Sequence, residues 1–258
     1  MRSPVFIVGS PRSGTSALVD ALLYAGYNGF REGSFMSMIT PIQETIDRHF
    51  SIYAYDSQVL VSHANADSLK WRVAEILAET QSALNQHPWF DKTCNPVMIL
   101  AIPVLRRLWP DSAFVFAKRR GIENILSRLA KFPYHTFEFH CTDWARNMSA
   151  WRSVRSGIPA DSFIEVEQQE ILLEPGKVAR DLVRLLGLRQ EYQAPLETAL
   201  QATRAQETAP GTSGRRFTLG TTGWSQEMIT IFLQECAEEM AAYGYTTDQR
   251  YGVVNPAG

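Results

Sequence analysis

The sequence predicts an α/β fold: a parallel sheet of about four to five strands with helices on both of its faces, in a single domain. Two observations lead to this prediction. Short apolar runs alternate with longer segments of helical periodicity along the chain, and parallel strands need such helical crossovers. The 258 residues are also sufficient for one α/β domain with a substantial core, so we expect one domain spanning 1–258.

The first apolar run, Val5 to Val8, is β-branched and aromatic, which is typical of a buried strand. It ends at Gly9-Ser10-Pro11, and residues 15–25 then follow the spacing of a helix that Gly26 ends. Three further segments predict the other strands: 89–93, which has charges at its C-terminal end, 113–117, which is strongly apolar, and 162–166.

Helical spacing predicts the remaining helices at 42–54, 68–86, 96–109, 122–132, 142–155, 175–186, 191–204 and 225–243. Pro103 should kink or break the third of these, because proline removes a backbone donor inside a helix. Residues 28–41 contain two glycines and Pro41, which predicts a loop. Residues 28–88 therefore form a long insertion before the second predicted strand, and such insertions commonly cover an active site in α/β sheets.

Composition and charge limit the possible partners. The apolar fraction of 45% and the charged fraction of 20% are ordinary for a soluble protein, and the net charge of −2 gives no bulk attraction to nucleic acid or to an anionic membrane. No apolar run is long enough to span a bilayer, and the sequence starts without a signal-peptide pattern. The cysteines have no zinc or redox spacing, and no cluster has metal-ligand spacing. We expect a cytoplasmic protein with reduced thiols and no metal.

The turn between the first strand and the first helix is the most informative motif. Gly9 and Gly14 form G-x-x-x-x-G, and a strand that passes through such a turn into a helix directs backbone N–H groups at one anion, usually a phosphate. The fold is therefore predicted to be of the P-loop type. Nucleotide-hydrolysing loops place Lys after the second glycine, but Thr15 stands there and Arg12 is the cation of the loop. This favours a phosphate-type donor that binds without the usual magnesium–triphosphate arrangement.

A second anion site is predicted after the strand at 113–117, where three basic residues follow at once. Ligands gather at the carboxyl edge of such sheets. Two helical turns place Ser127 back over the turn that holds Arg119, and a guanidinium with a hydroxyl can hold a terminal phosphate.

These two segments resemble the phosphate-binding motifs of sulfotransferases. The loop PRSGTS is similar to their 5′-phosphosulfate loop, and Arg119 followed eight residues later by Ser127 is similar to their 3′-phosphate segment. DKTCNP, WPDSAFVFAKRR and FIEVEQQEILLEPGKVARDLVRLLGL also resemble the family, so that the resemblance spans about residues 4–245. Ala17 replaces the tryptophan that the small-molecule cytosolic branch stacks on adenine, so the chain looks closer to the bacterial, carbohydrate and tyrosylprotein-type branches.

The resemblance implies 3′-phosphoadenosine 5′-phosphosulfate (PAPS) as the sulfuryl donor and a small-molecule, glycan or peptide acceptor with a hydroxyl or amine. It implies that the donor's 5′-phosphate is held by Arg12, Ser13, Gly14, Thr15 and Ser16, and its 3′-phosphate by Arg119 and Ser127. Arg215, in the basic loop 208–223, is expected to close over the same phosphate. Arg12 would stabilise the leaving group.

Glu32 is the first candidate for the base that deprotonates the acceptor, because F-R-E-G-S resembles a segment of tyrosylprotein-type sulfotransferases. Asp91, His135 and His140 are alternatives. Lys92 is expected to contact the donor phosphate or to pair with Asp91. Two other functions remain open: a P-loop small-molecule kinase, and a non-catalytic nucleotide-binding protein. The kinase is disfavoured because no lysine follows Gly14 and no aspartate ends the 113–117 strand.

Overall fold

The computed structural model describes residues 2–202 and 216–252, and its centre is a five-stranded, wholly parallel sheet. The strands lie in the order β2-β3-β1-β4-β5. Their bounds are β1 Val5–Gly9, β2 Asn28–Phe30, β3 Trp89–Lys92, β4 Ala113–Lys118 and β5 Phe163–Glu167. The predicted α/β fold is confirmed. Because all the strands run in one direction, their carboxyl ends share one edge of the sheet, and the loops that follow them meet there.

Helices cover both faces of the sheet. One face carries α1 Thr15–Tyr24, α8 Gln168–Leu173, α9 Pro175–Leu186 and α10 Gln193–Ala202. The other carries α2 Ile39–Tyr53, α3 Ala66–Leu84, α4 Pro96–Leu100, α5 Ile102–Leu108, α6 Gly121–Lys131, α7 Phe137–Val154 and α11 Gln226–Ala242. Helix α9 ends at Gly187 in the left-handed conformation, and α11 begins after the N-cap Ser225, as glycine and serine at those positions predict.

The strands divide their side chains between two cores because successive residues of a strand face opposite sides. Phe6 and Val8 join the core beneath α4 to α7 and α11, whereas Val5 and Ile7 join the core beneath α1, α9 and α10. In the first core Phe116 stacks on Trp151, with ring centroids 4.5 Å apart. The strands β1 and β4 are buried on both faces, which explains the continuous apolar runs from which they were predicted.

Two predictions about the elements were wrong in part. Residues 28–41 are not only a loop, since 28–30 pair with β3 as the edge strand β2 and a 3₁₀ turn covers 36–38. The sequence Asn-Gly-Phe has a weak strand propensity, and Phe30 is exposed, so no apolar pattern marks this strand. Helix α7 begins at Phe137 rather than at residue 142, because Thr136 caps it by accepting a hydrogen bond from the Phe139 amide at 3.1 Å.

The predicted interruption near Pro103 is confirmed, because α4 and α5 meet at Ala101. The proline occupies the second position of α5, where its missing amide hydrogen costs nothing.

The two central strands approach each other closely at the carboxyl edge. Gly9 pairs with Ala117 and has a φ of +134°, and a Cβ added there would lie 2.1 Å from the Ala117 carbonyl oxygen. Glycine is required here because any side chain would force β1 and β4 apart. The loop after β1 and the basic turn after β4 therefore begin at the same height, side by side.

Candidate active site

The loop between β1 and α1 has the backbone of an anion-binding turn. Arg12 and Gly14 have left-handed φ values of 72° and 87°, and Gly14 stands at the N-cap of α1. The first amides of an α-helix have no partner within the helix, and the positive end of the helix dipole lies there. The amides of Ser13 to Ser16 are therefore available for one anion, in the place that the glycine spacing predicts.

Helix α6 holds this loop from the side. The Asn124 side-chain amide donates to the Pro11 carbonyl at 2.9 Å and to Ser13 Oγ at 3.1 Å. Arg128 donates to Ser10 Oγ at 2.8 Å and to Asn124 Oδ1 at 2.8 Å, and it forms an ion pair with Asp143 at 2.8 Å. Asn124 and Arg128 are both buried, so these bonds fix the loop in a dry environment where they are strong.

Asn124 and Arg128 were not among the predicted site residues. A signal was available, because Asn124, Ser127 and Arg128 lie three and four positions apart and therefore share one face of the predicted helix. A polar face on a helix that follows a central strand indicates contact with another polar group. Here that group is the loop between β1 and α1, residues 10–14, which we call the phosphate loop.

The loop and the basic turn also meet directly. Arg12 Nε donates to Ser127 Oγ at 3.0 Å, and Arg119 Nη1 donates to the Arg12 carbonyl at 3.2 Å. Arg119 Nε is buried and has no hydrogen-bond partner within 2–202 and 216–252. The structure thus brings together Arg12, Arg119 and Ser127, which the sequence analysis had grouped around one donor.

The electrostatics of this group favour an anion. Burial lowers the pKa of Arg12, and the neighbouring Arg119 lowers it further. Burial also lowers the pKa of Arg119. A pKa that is lowered in this way means that the site makes the positive form less favourable, and a bound phosphate would restore that loss.

The other two basic residues of the turn have different partners. Lys118 Nζ pairs with Glu165 at 2.6 Å. The Arg120 guanidinium is fully buried, contacts both carboxylate oxygens of Glu123 and donates to the carbonyls of three residues, namely Phe217, Thr246 and Asp248. Arg119 is therefore the residue of this turn that faces the phosphate loop.

Glu32 and Lys92 lie together at the ends of β2 and β3. Lys92 Nζ forms an ion pair with Glu32 Oε1, and the Gly33 amide donates to the Lys92 carbonyl at 2.8 Å. The lysine side chain is buried, whereas 71% of the Glu32 side chain is exposed. Lys92 does not pair with Asp91, because adjacent residues of a strand point to opposite faces.

The Cys94 thiol lies close to both this ion pair and the phosphate loop. Its pKa responds to Thr15 of the loop as well as to Lys92 and Glu32. Burial raises the pKa of this thiol, so it remains protonated at neutral pH. The thiol is thus a neutral neighbour of both groups.

Asp91 lies beneath the loop that carries Glu32. It accepts from Thr93 Oγ1 at 2.6 Å and from Gln81 Nε2 at 3.3 Å, and Thr93 Oγ1 in turn accepts from the Ser34 amide at 2.7 Å. Burial raises the Asp91 pKa to about 6, although the bond from Thr93 opposes the shift. These bonds support the loop from inside.

The two histidines lie on and before α7. His140 is fully buried, and its Nε2 lies 3.2 Å from the Phe132 carbonyl oxygen. Burial and the charge of Arg128 lower its pKa, so the ring is neutral. His135 is exposed and stacks on Phe139 at 4.2 Å.

Arg215 lies outside the described residues, whereas its neighbour Arg216 donates to the carbonyls of Gln249 and Arg250.

Within 2–202 and 216–252, His, Cys, Asp and Glu form no group of three that could hold a metal ion. Over the same residues, no helix has the length and apolar character needed to cross a bilayer.

Comparison with known proteins places this geometry in context. The family model described as "Sulfotransferase family" matches residues 4–192. No curated protein sequence matches the chain. The fold is similar to the sulfotransferase domain of the Synechococcus PCC 7002 olefin synthase, with a TM-score of 0.53 and 15% identity over 91% of this chain and 95% of that one.

Two further structures are similar in fold. The sulfotransferase STF9 from Mycobacterium avium has a TM-score of 0.54 and 12% identity, over 94% of this chain and 77% of its own. Mouse sulfotransferase SULT7A1, solved in complex with PAP, has a TM-score of 0.51 and 13% identity, over 91% of this chain and 84% of its own.

Proposed function

Because the chain belongs to the sulfotransferase family, we propose that it transfers a sulfuryl group from PAPS to a hydroxyl or amine acceptor and releases 3′,5′-ADP. One observation carries the choice of donor: Arg12, Arg119 and Ser127 come together at the carboxyl edge of the sheet, beside the N-terminus of α1. A donor that carries a 5′-phosphate and a 3′-phosphate on one ribose needs two anion sites next to each other.

The donor site would use backbone and side chains for different tasks. The amides of residues 13–16 would hold the 5′-phosphate at the positive end of α1. Arg119 and Ser127 would hold the 3′-phosphate, and the unpartnered, buried Nε of Arg119 supports this role within the described residues. Arg215 would close over the same phosphate from the loop 208–223.

Arg12 would act on the reaction itself. Sulfuryl transfer forms a bond from sulfur to the acceptor oxygen or nitrogen and breaks the bond from sulfur to the oxygen that bridges it to the 5′-phosphate. Negative charge grows on that bridging oxygen, and a cation beside it stabilises the transition state more than the ground state. Arg12 lies in the loop that would hold this phosphate, which supports the assignment.

Glu32 would take the proton from the acceptor. Lys92 holds one of its carboxylate oxygens, Oε1, and would leave Oε2 to accept the proton. Lys92 would also keep the carboxylate turned toward the edge of the sheet. The burial of Asp91 and His140 makes both of these alternatives less accessible to an acceptor, which supports Glu32 as the base.

Residues 28–88 would form the acceptor side of the site, since they carry Glu32 and the helical pair α2–α3 next to β3. We also place the chain closer to the bacterial, carbohydrate and tyrosylprotein-type branches, which is supported by Ala17 in place of a stacking tryptophan. A cytoplasmic location is supported by the three cysteines, all of which are free thiols.

Ligand-induced stabilisation tests the donor. We expect 3′,5′-ADP at about 100 times its Kd to add about 2.7 kcal/mol to the stability, which raises Tm by roughly 5–10 °C. ATP with Mg²⁺ should have little effect, because the loop has no lysine after Gly14. The reverse ranking would favour the kinase alternative. Transfer of labelled sulfate from PAPS into a cell extract, followed by mass spectrometry, would identify the acceptor.

The variant Glu32→Gln tests the base. It removes the proton acceptor but keeps the shape, so kcat should fall by a factor of about 10² or more. Glu44→Gln, an exposed change on α2, is the matched control and should leave kcat unchanged. Near-normal turnover of Glu32→Gln with a hydroxyl acceptor would exclude this role.

A further inference from the structure

The segment that follows α11 folds back to the carboxyl edge of the sheet. Tyr245 forms a bridge with Gly252, and the Thr246 amide donates to the Tyr251 carbonyl at 3.0 Å. Tyr251 itself has a φ of +73°, which is unusual for a bulky residue, and its side chain is buried. Strain of this kind persists only where the surrounding contacts hold the residue in place.

The Tyr251 phenol connects the ends of two strands. It donates to Glu167 Oε1, at the end of β5, at 2.6 Å. It accepts from the Arg120 amide, directly after β4, at 3.1 Å. The Tyr245 phenol also donates to Glu167, but to the other oxygen, Oε2. Burial raises the Glu167 pKa to about 7, while the two phenols act in the opposite direction.

These contacts clamp the peptide that joins Arg119 to Arg120. Trp144 Nε1 donates to the Arg119 carbonyl at 3.0 Å on one side, and the Tyr251 oxygen receives the Arg120 amide on the other. The Arg120 side chain then binds the carbonyls of Thr246 and Asp248, in the segment that carries Tyr251. The backbone from which Arg119 projects is thus held by the C-terminal segment.

Arg119 depends on this clamp because its own side chain has few fixed contacts. Among the described residues its guanidinium donates to the Arg12 carbonyl, while its Nε has no partner. The same segment also matters electrostatically: Tyr251, Glu123 and Glu167 partly offset the loss of solvation that lowers the Arg119 pKa.

We propose that Tyr251 is a positioning residue for recognition of the donor's 3′-phosphate, because its phenol holds the Arg120 amide and Glu167 and thereby fixes the direction of Arg119. This inference rests on the proposed function, in which Arg119 binds that phosphate. Removal of the phenolic oxygen leaves a buried amide without its acceptor and lets the turn relax. The amides that would hold the 5′-phosphate belong to the other loop, which Asn124 and Arg128 also fix, so their positions should depend much less on this bond.

The experiment compares the affinities of 3′,5′-ADP and 5′-AMP, which differ by the 3′-phosphate. We expect wild type to bind 3′,5′-ADP more tightly, and Tyr251→Phe to reduce that preference by about tenfold while the 5′-AMP affinity stays within about twofold. Tyr245→Phe is the matched control, since this phenol reaches Glu167 but not the Arg120 amide, and it should keep the preference. Arg119→Ala should abolish the preference.

The outcomes separate the two proposals. If wild type shows no preference for 3′,5′-ADP, the proposed function fails. If Arg119→Ala loses the preference and Tyr251→Phe keeps it, the positioning role alone is overturned. Equal weakening of both nucleotides in Tyr251→Phe also overturns it, because that result indicates a general structural effect. If Tyr251→Phe does not fold, Glu167→Gln replaces it in the experiment. This variant weakens the hydrogen bond that holds the Tyr251 phenol, so the preference for 3′,5′-ADP should fall by less than in Tyr251→Phe. An unchanged preference in Glu167→Gln would overturn the positioning role of Tyr251.

Discussion

The proposed donor side, which is the phosphate loop with α6, and the proposed acceptor side, residues 28–88, differ in how many buried contacts hold them in place. On the donor side, Ser10, Asn124 and Arg128 are buried and hydrogen-bonded to one another. On the acceptor side, Ile39 is the one buried residue of the fifteen in α2. At the tip of the α2–α3 pair, Tyr55 is 99% exposed and Leu60 is 84% exposed.

This difference shows which segments are held in place by buried contacts and which are not. A cation that must stabilise charge during a reaction has to be in place beforehand, so the phosphate loop is fixed by buried bonds from α6. A segment with few buried contacts opens at low free-energy cost, and surfaces that admit ligands are drawn from such segments. We therefore expect changes on the donor side to cost stability and rate, and changes at the tip of the α2–α3 pair to cost little.

The largest effect is expected for Arg128→Ala on the donor side. It leaves Asp143 without its partner and removes the bonds to Ser10 and Asn124, so the free energy of unfolding should fall by about 4 kcal/mol and Tm by on the order of 10 °C. Thermal unfolding measures this. Arg184→Ala, whose ion pair with Asp181 is exposed, is the control. A Tm drop no larger than the control's would show that the loop does not depend on α6. Adding Asp143→Asn should recover part of the loss.

The second effect concerns rate. Arg12→Ala should lower kcat by a factor of about 10²–10³, because the charge that develops on the leaving group loses its cation. The Kd of 3′,5′-ADP should change much less. Steady-state kinetics with PAPS and calorimetric titration of 3′,5′-ADP separate the two quantities. Intact turnover in this variant would remove Arg12 from the proposed mechanism.

A third, smaller effect is expected at Asp91, beneath the proposed acceptor side, and it is a gain of stability rather than a loss. The Asp91 pKa is raised from 3.8 to about 6, so the folded state holds this proton more tightly than the unfolded chain does. Ionisation of the carboxyl therefore costs stability as pH rises from about 4 to 6, and the full cost remains above that range. Asp91→Asn removes the cost and can still accept from Thr93.

We accordingly expect Asp91→Asn to be more stable than wild type at pH 7.5, by about 1–3 kcal/mol, and to lose this advantage near pH 4. Thermal unfolding across that pH range measures the difference. An advantage that does not depend on pH would contradict the assignment of the cost to this carboxyl.

The smallest effect is expected at the tip of the α2–α3 pair. Tyr55→Ser should change the free energy of unfolding by less than about 0.5 kcal/mol, because the side chain is exposed. The Kd of 3′,5′-ADP should stay within about twofold of the wild-type value. Calorimetric titration measures the Kd, and thermal unfolding measures the stability. A weaker affinity for 3′,5′-ADP in this variant would contradict the proposed difference between the two sides.

The two sides also differ in how far they could be predicted from sequence. The phosphate loop is local: Gly9 to Gly14 are neighbours in the chain, and the spacing from Arg119 to Ser127 follows from helix geometry. The edge strand β2 could not be recognised, since Asn28 and Gly29 have no strand propensity and pairing with β3 decides its conformation.

Tyr251 marks the limit of sequence-based prediction on the donor side. Its bond to the Arg120 amide joins residues 131 positions apart, and no periodicity or motif connects them. Asn124 and Arg128 are an intermediate case. Their shared helix face can be recognised in the sequence, but only the fold shows that this face contacts the phosphate loop.

The pairing of Gly9 with Ala117 also fixes the register of β4 against β1, and with it the surroundings of each residue that follows Ala117. Lys118 pairs with Glu165 and Arg120 pairs with Glu123, whereas Arg119 between them reaches the phosphate loop. Loss or gain of one residue in β4 would therefore place Lys118 or Arg120 where Arg119 now meets the phosphate loop. The length of β4, and not only its sequence, thus sets which cation reaches this loop.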